Sequence, residues 1–245
     1  MHILITGDSW SQGEWDGYPT HYHVSHQGIT EYFKNNGISV TNVGKGGNTN
    51  LDSLVSAQLN LTNDYTDLIF FFTDPLRQAT LNEIKTYLPL EIINSHTEFI
   101  FNSLFHTKTL FPNLRITMIG GCAKIPSIKN SIDFIIPSVT ELLCPSYIDS
   151  CYMVSDEWEK PFRENNFTFS LEQKRQWTEV IDLASKKFSI WKQNPELFWP
   201  DGLHANRHAH YQLYTHITKL WGEAGNRTLP TCFTDRYATI TSATP

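Results

Sequence analysis

Apolar runs of strand length alternate with segments of helical periodicity along most of this chain. Four runs rich in β-branched or aromatic residues predict strands, because each run ends at residues typical of turns. These runs are residues 2–6, 38–43, 67–73 and 115–121. A fifth strand is predicted from either Phe134-Ile135-Ile136 or Cys151-Tyr152-Met153-Val154.

Segments in which apolar residues recur every three or four positions predict helices between and after these strands. They are 27–36, 51–61, most of 80–110 with a break near Pro89, 171–191 and a last segment that includes 213–221. Residues 18–26 are predicted to be loop. Strands that alternate with helices indicate an α/β protein, a three-layer αβα sandwich around a mostly parallel sheet.

The helix predicted over 51–61 has an apolar side formed by Leu51, Leu54, Val55 and Leu59. Asn50 or Asp52 is the predicted capping residue, since Asn and Asp accept hydrogen bonds from the free N–H groups of a first turn. The pattern therefore predicts that these four apolar side chains face the sheet.

Composition narrows the class of protein. Among 245 residues, 40% are apolar and 18% are charged, which favours a folded chain over a disordered one. The length suits one sizeable α/β domain, predicted over 1–222, with an irregular insertion at 122–170. A tail at 223–245 is predicted to lie outside the core. The net charge of −6 argues against a nucleic-acid partner.

No signal peptide and no apolar run near the ~20 residues of a membrane span is visible, so we expect a cytoplasmic protein without a membrane partner. Four cysteines lack the Cys-x-x-Cys spacing and are expected to be reduced thiols. The histidines match no standard zinc spacing, so neither a metal nor a cofactor is predicted. These residues are Cys122, Cys144, Cys151 and Cys232, and His21, His23, His26, His208 and His210.

Candidate chemistry begins where the first predicted strand ends, in Gly7-Asp8-Ser9. A serine hydroxyl becomes a nucleophile when a histidine takes its proton and a third group orients that histidine. His204, preceded by Asp201, supplies this pair in Asp-Gly-Leu-His. The N–H groups of Ser9 and of the glycine turn at 44–47 are candidate donors to an oxyanion. Asp8 is expected to brace the turn.

These residues resemble the sequence blocks of the SGNH/GDSL hydrolase family. Gly7-Asp8-Ser9 with Gly13 is similar to the first block, and Asn42-x-Gly44-x-x-Gly47-x-Thr49 is similar to the second. Asp201-x-x-His204, followed by Asn206 and His210, is similar to the fifth. The similarity covers about the first 75 residues and the segment from about 198 to 221.

The resemblance implies a flavodoxin-like parallel sheet and hydrolysis of esters, often acetyl esters of carbohydrates or acyl esters of lipids. It implies Ser9 as nucleophile, His204 and Asp201 as the rest of a triad, and Gly47 as an oxyanion donor. The third block normally reads Gly-x-Asn-Asp, but this chain has Phe71-Phe72-Thr73-Asp74. Thr73 therefore stands where the family has an oxyanion-hole asparagine, and its hydroxyl is a doubtful substitute.

Other interpretations remain open from the sequence. Ser9 can be an ordinary turn residue, and His204 a surface histidine. The turn at 44–47 can cradle a phosphate, although it fits neither the P-loop nor the Gly-x-Gly-x-x-Gly pattern. Trp10 and Asn48 are candidate substrate contacts, while packing against the sheet accounts for Trp10 equally well.

The prediction for function is thus a serine ester hydrolase that acts on a small-molecule or carbohydrate ester. The alternatives are an SGNH-type binding module with little or no turnover, and an acyltransferase that uses the same triad.

Overall fold

The computed structural model describes residues 1–17, 20–126, 132–150, 168–198 and 203–224. Within these ranges seven strands form two sheets, one of five strands and one of two. The strands are β1 (His2–Thr6), β2 (Glu14–Asp16), β3 (His23–His26), β4 (Ser39–Asn42), β5 (Asp67–Phe72), β6 (Arg115–Gly120) and β7 (Phe134–Ile136).

The five-stranded sheet is parallel throughout and has the order β4-β1-β5-β6-β7. Leu4 of β1 pairs with Thr41 of β4 on one side and with Leu68 of β5 on the other. Numbered along the sheet strands alone, this is the doubly wound order 2-1-3-4-5 of flavodoxin-like folds. The strand order reverses between β1 and β5, and ligands of such sheets bind outside the carboxyl ends of the strands at this point.

Helices cover both faces of this sheet. The described helices are α1 (Ser9–Gln12), α2 (Ile29–Asn35), α3 (Asn50–Asn60), α4 (Leu81–Thr86), α5 (Pro89–Leu110), α6 (Val139–Leu143), α7 (Leu171–Gln193) and α8 (Arg207–Glu223), with a short 3-10 helix at Pro75–Gln78. None of these helices is long and apolar enough to cross a membrane.

Alternate residues of each strand pack on the two faces of the sheet, because successive side chains of a strand point to opposite sides. Ile3 and Ile5 belong to a buried cluster with side chains of α2, α6 and α8. Leu4 and Phe70 belong to a second cluster with side chains of α3 and α5. The predicted three-layer α/β fold with a parallel sheet is therefore confirmed, and Phe134–Ile136 is its fifth strand.

Two local predictions were wrong. Residues 23–26, predicted as loop, form β3 and pair antiparallel with β2. On α3 the predicted apolar residues Leu51, Val55 and Leu59 are exposed, whereas Leu54 is buried together with Asn50, Ser53 and Ala57. The small side chains of Ser53 and Ala57 allow this face to lie close to the sheet, where the Thr6 hydroxyl donates to the Ser53 carbonyl over 2.8 Å.

The cap of α3 also differs from the prediction. Thr49 is the N-cap residue, and its hydroxyl accepts from the Asp52 N–H while the Asp52 carboxylate accepts from the Thr49 N–H. The alternative fifth strand at 151–154 and residues 225–245 of the predicted tail lie outside the described residues. The division into one domain, an insertion and a tail stays a prediction.

Candidate active site

The turn from β1 into α1 presents Ser9 at the carboxyl end of the central strand. Ser9 is the first residue of α1, and Asp8 is its N-cap, since the Asp8 carboxylate accepts from the Trp10 N–H over 3.0 Å. Gly7 enters this turn with φ 148°, and a Cβ at this position would lie 2.5 Å from the Cβ of Phe71. Only glycine fits there, because β5 passes directly behind the turn.

The Asp8 carboxylate is buried and surrounded by donors. Its Oδ2 accepts from the Thr73 hydroxyl over 2.7 Å, from Arg77 Nη1 over 3.3 Å and from the Cys122 thiol over 3.3 Å. Asp8 is 1% exposed. A carboxylate held in this way fixes the ends of β1 and β5 to each other, which agrees with the bracing role expected for Asp8.

Thr73 lies behind the site. It is 0% exposed, and its hydroxyl proton is directed to Asp8. Its main-chain N–H and carbonyl are both bonded to the Asn50 side-chain amide over 2.8 Å. Because the hydroxyl has a single proton and Asp8 accepts it, this geometry corrects the suggestion that Thr73 donates to an oxyanion.

The glycine turn after β4 is fastened to α1 by Asn42. The Asn42 side-chain amide donates to the Ser11 carbonyl over 2.7 Å, and its oxygen accepts from the Gly44 N–H over 2.9 Å. The turn consequently lies beside the Ser9 turn, and Gly46 and Gly47 both line the cavity in front of Ser9.

A cavity of about 300 Å³ opens at the switch point of the sheet, between the carboxyl ends of β1 and β5. It brings together the predicted nucleophile Ser9, the predicted base His204 and the predicted oxyanion donor Gly47. Its lining residues are Asp8, Ser9, Trp10, Trp15, Tyr22, Gly46, Gly47, Arg77, Cys122, Leu203 and His204. Asp201, the predicted third member of the triad, lies outside the described residues.

The segment that carries His204 is closed at its base. Phe198 and Ala205 form an antiparallel bridge, and the Asn206 N–H donates to the Leu197 carbonyl over 2.9 Å. The Asn206 side chain then caps α8 by accepting from the Ala209 N–H. These bonds fix the chain next to His204, which is 9% exposed.

The small sheet of β2 and β3 supplies an aromatic wall beside His204. The Trp15 ring stacks on the imidazole, with centroids 5.5 Å apart and an interplanar angle of 30°. Tyr22 meets the same imidazole edge-on at 6.0 Å. Trp15 Nε1 also donates to the Ser9 carbonyl over 3.0 Å. Trp15 thus contacts both halves of the predicted Ser–His pair.

A second ion pair fixes this wall to the His204 segment. Glu14 of β2 accepts from both the side chain and the N–H of Arg207, over 2.7 and 3.2 Å. The Glu14 side chain is only 4% exposed, so little water competes for these bonds. Glu14 is a positioning residue that sequence reasoning missed, because the two positions are 193 residues apart.

The two predicted substrate contacts differ in their placement. Trp10 is 2% exposed and packs on Trp191 with ring centroids 5.3 Å apart, although it also borders the cavity. The Asn48 side chain donates to the Gly7 carbonyl over 3.3 Å and is not among the residues that line the cavity. Trp10 belongs mainly to the core, and Asn48 fastens the glycine turn to β1.

Two cavity residues, Arg77 and Cys122, were not among the sequence-predicted site residues. Each follows the carboxyl end of a central strand, β5 and β6, and this position was the only signal for them. Burial, aided by the negative charge of Asp8, raises the pKa of the Cys122 thiol to about 12. The thiol therefore stays protonated near neutral pH and is a poor nucleophile.

Within the described part of the chain, no group of three or more His, Cys, Asp or Glu side chains is arranged to hold a metal ion. His210, which aligns with the fifth block, is buried against the Gly28 backbone. Burial lowers its pKa to about 4, so it is a neutral packing residue near pH 7.

No protein-family model matches this chain, and no curated protein matches its sequence. Solved structures are similar to it over most of its length. A lipase/acylhydrolase from Enterococcus faecalis is 15% identical, with 91% of this chain and 96% of that chain covered and a TM-score of 0.42. The psychrotrophic esterase EstA from Pseudoalteromonas sp. is 12% identical, with 92% and 99% covered and a TM-score of 0.42.

LAE5, an α/β hydrolase enzyme from the metagenome of Lake Arreo, Spain, is 14% identical, with 90% of this chain and 94% of that chain covered and a TM-score of 0.44. All three TM-scores lie below 0.5.

Proposed function

We propose that this chain is a serine-dependent ester hydrolase of the SGNH/GDSL type. The observation that carries the proposal is the cavity at the switch point, where Ser9, His204 and Gly47 come together from three distant parts of the sequence. A serine beside a histidine, with main-chain N–H groups at a helix start, is the arrangement that acyl transfer requires. Asp201 orients His204 in this proposal, on the basis of the Asp-x-x-His spacing.

The proposed reaction has two steps. Ser9 Oγ attacks the ester carbonyl carbon while His204 takes the hydroxyl proton, and the carbonyl electron pair moves onto oxygen. When the bond to the alcohol breaks, His204 returns this proton to the departing alcohol. Water then attacks the acyl-serine with His204 again as base, which releases the acid and restores Ser9.

Donors to the oxyanion are the N–H groups of Ser9 and Gly47. Ser9 begins α1, where the first N–H groups of a helix have no partner inside the helix, so its N–H is free to donate to a ligand. Gly47 borders the same cavity. Two donors from different turns suit an oxygen that lies between them.

The cavity supports a small acyl or acetyl ester of a carbohydrate as the substrate. Its volume of about 300 Å³ is at the small end for a ligand site. Trp15 and Tyr22 supply flat apolar surfaces beside His204, and such rings pack well against the C–H faces of sugars. No metal or cofactor takes part in the proposed reaction.

The experiment is active-site labelling with a fluorophosphonate probe, followed by mass spectrometry to locate the adduct. We expect an adduct on Ser9 and hydrolysis of p-nitrophenyl acetate that Ser9→Ala and His204→Ala abolish. Ser39→Ala is the matched control, because Ser39 is exposed at the amino end of β4, away from the cavity, and should keep full activity.

Other outcomes would identify the two competing functions. An unlabelled protein with no hydrolysis above the Ser9→Ala variant would refute the esterase and leave a binding module. Transfer of the acetyl group to an added alcohol or sugar in preference to water would make the protein an acyltransferase with the same residues.

A further inference from the structure

The cavity contains a positively charged side chain, Arg77, that has no role in the reaction proposed above. Arg77 lies on the 3-10 helix that follows β5, and it lines the cavity together with Ser9, Gly47 and His204. The side chain is 24% exposed, so it is neither a surface arginine nor a sealed core residue. A half-buried cation beside a candidate nucleophile calls for a chemical explanation.

The contacts of the guanidinium place it between the two oxyanion donors. Nη1 donates to Asp8 Oδ2 and to the Asn48 carbonyl, each over 3.3 Å. Asp8 immediately precedes Ser9, and Asn48 immediately follows Gly47. The guanidinium is therefore bonded to the neighbour of each residue whose N–H is proposed to hold the oxyanion.

Most of the guanidinium's donor capacity is left over. Arginine has five N–H donors in a rigid plane. Among the described residues, Asp8 and Asn48 are its only hydrogen-bond acceptors, and both are bonded through Nη1. No acceptor in the described part of the chain takes the N–H groups on Nε and Nη2, so these groups can donate to a ligand in the cavity.

The Thr73 hydroxyl is not available as a donor to a ligand in the cavity. The Thr73 hydroxyl is buried and donates to Asp8, which is the same carboxylate oxygen that accepts from Arg77. Thr73 thus helps to hold the carboxylate that anchors the guanidinium. The two residues are four positions apart in the sequence, and both donate to the same oxygen, Asp8 Oδ2.

We propose that Arg77 is a catalytic residue that donates a hydrogen bond to the oxyanion. This inference rests on the proposed esterase function. As the bond from Ser9 Oγ to the carbonyl carbon forms, the carbonyl electron pair moves to oxygen and the Ser9 proton moves to His204. The guanidinium donates to that oxygen and keeps its own protons, and the electron pair returns when the alcohol leaves with the proton of His204.

A charged donor is well suited to this place. Hydrogen bonds that involve an ionised partner are roughly twice as strong as neutral ones, and the carbonyl oxygen gains its negative charge only in the transition state. Asp8 compensates the charge of Arg77 in the free protein, so the cation does not have to be buried alone.

The test compares Arg77→Ala, Arg77→Lys and Lys34→Ala with p-nitrophenyl acetate, a substrate without a carboxylate for arginine to bind. Loss of one oxyanion donor costs about 10²- to 10³-fold in kcat, so we expect kcat and kcat/KM of Arg77→Ala to fall together by about this factor. KM should change by less than about threefold. Lys34 is an exposed cation on α2 away from this cavity, and its variant should keep full activity.

Arg77→Lys tests the proposal even if the alanine variant does not fold, because lysine preserves the positive charge beside Asp8. A single ammonium cannot reach Asp8, the Asn48 carbonyl and a ligand in the same plane, so its kcat should fall at least about tenfold. Added guanidinium chloride at millimolar concentration should restore part of the activity of Arg77→Ala and none of that of Ser9→Ala. A structural role alone would give no such rescue.

The outcomes separate the two proposals. If wild type labels at Ser9 and both Arg77 variants fold and keep kcat within threefold, the role of Arg77 is refuted and the esterase stands. A rise in KM with unchanged kcat would also refute it, because it would make Arg77 a substrate-binding residue. If wild type neither labels nor hydrolyses, the esterase proposal itself fails.

Discussion

Replacing Asp8 by asparagine removes one charge and almost no volume from the centre of the site. The carboxylate accepts four hydrogen bonds, from the Trp10 N–H on Oδ1 and from Thr73, Arg77 and Cys122 on Oδ2. An amide has one acceptor oxygen, so in either orientation an NH₂ group meets donors that were previously satisfied. Asp8→Asn should therefore destabilise the fold, although its shape is preserved.

The expected loss of stability follows from the burial of the Asp8–Arg77 ion pair. Removing one partner of a buried ion pair typically costs about 3–5 kcal/mol. Arg77 is 24% exposed and can regain water, which places the expected loss near the lower value, about 3 kcal/mol. For a chain of this length 1 kcal/mol corresponds to about 2–4 °C, so Tm should fall by about 6–12 °C.

The assay is urea and thermal unfolding of wild type, Asp8→Asn and the matched control Asp52→Asn. Asp52 is an exposed carboxylate that caps α3 through Thr49, and its replacement should cost about 1 kcal/mol or less. In a double-mutant cycle, Thr73→Val should lower the free energy of unfolding by less in the Asp8→Asn protein than in wild type. An Asp8→Asn protein within 1 kcal/mol of wild type would refute the view of Asp8 as the brace of the site.

Three further predictions concern stability and rate. Gly13→Ala should lower Tm by several degrees, because the new Cβ would lie 2.1 Å from the His26 carbonyl at φ 123°; an unchanged Tm would contradict the packing of β3. Trp15→Phe keeps an aromatic ring but loses the indole N–H and its 3.0 Å bond to the Ser9 carbonyl, so kcat/KM should fall about 2- to 10-fold in the ester assay. Burial lowers the pKa of His210 from 6.5 to about 4, so between pH 6.5 and pH 4 the unfolded chain binds more protons than the folded protein does. The free energy of unfolding should therefore decline as the pH falls through this range, by up to about 3 kcal/mol. Urea unfolding at pH 4.5 and 7.5 should show a smaller decline for His210→Phe, and equal declines would contradict the shift.

Local pattern was enough to predict the central sheet. The strands β1, β5 and β6 are mostly apolar, and their predicted bounds differ from the observed ones by at most one residue. A strand buried on both faces has to be apolar along its whole length, so its sequence carries the information by itself. The Gly-Asp-Ser turn was visible for a related reason, because only glycine tolerates β5 directly behind it.

Elements whose role depends on distant partners were not predictable in this way. The strands β2 and β3 are three and four residues long, and their stability comes from pairing and from the contacts of Trp15 with Ser9 and His204. On α3 the periodicity of Leu51, Val55 and Leu59 is genuine, yet these side chains are exposed. The face with Ser53 and Ala57 packs on the sheet instead, where the Thr6 hydroxyl donates to the Ser53 carbonyl.

Local apolar pattern and residue chemistry were sufficient to predict the parallel sheet, most of the helices around it and the candidate pair Ser9 and His204. Which polar groups face the cavity depends on the folded arrangement. Thr73 stands where the SGNH/GDSL block that this chain resembles has an asparagine, but its hydroxyl donates to buried Asp8, while Arg77 reaches the cavity from the next turn. The direction in which the Thr73 hydroxyl points depends on the acceptor that lies beside it. That acceptor is the Asp8 carboxylate, which is 65 residues away in the sequence.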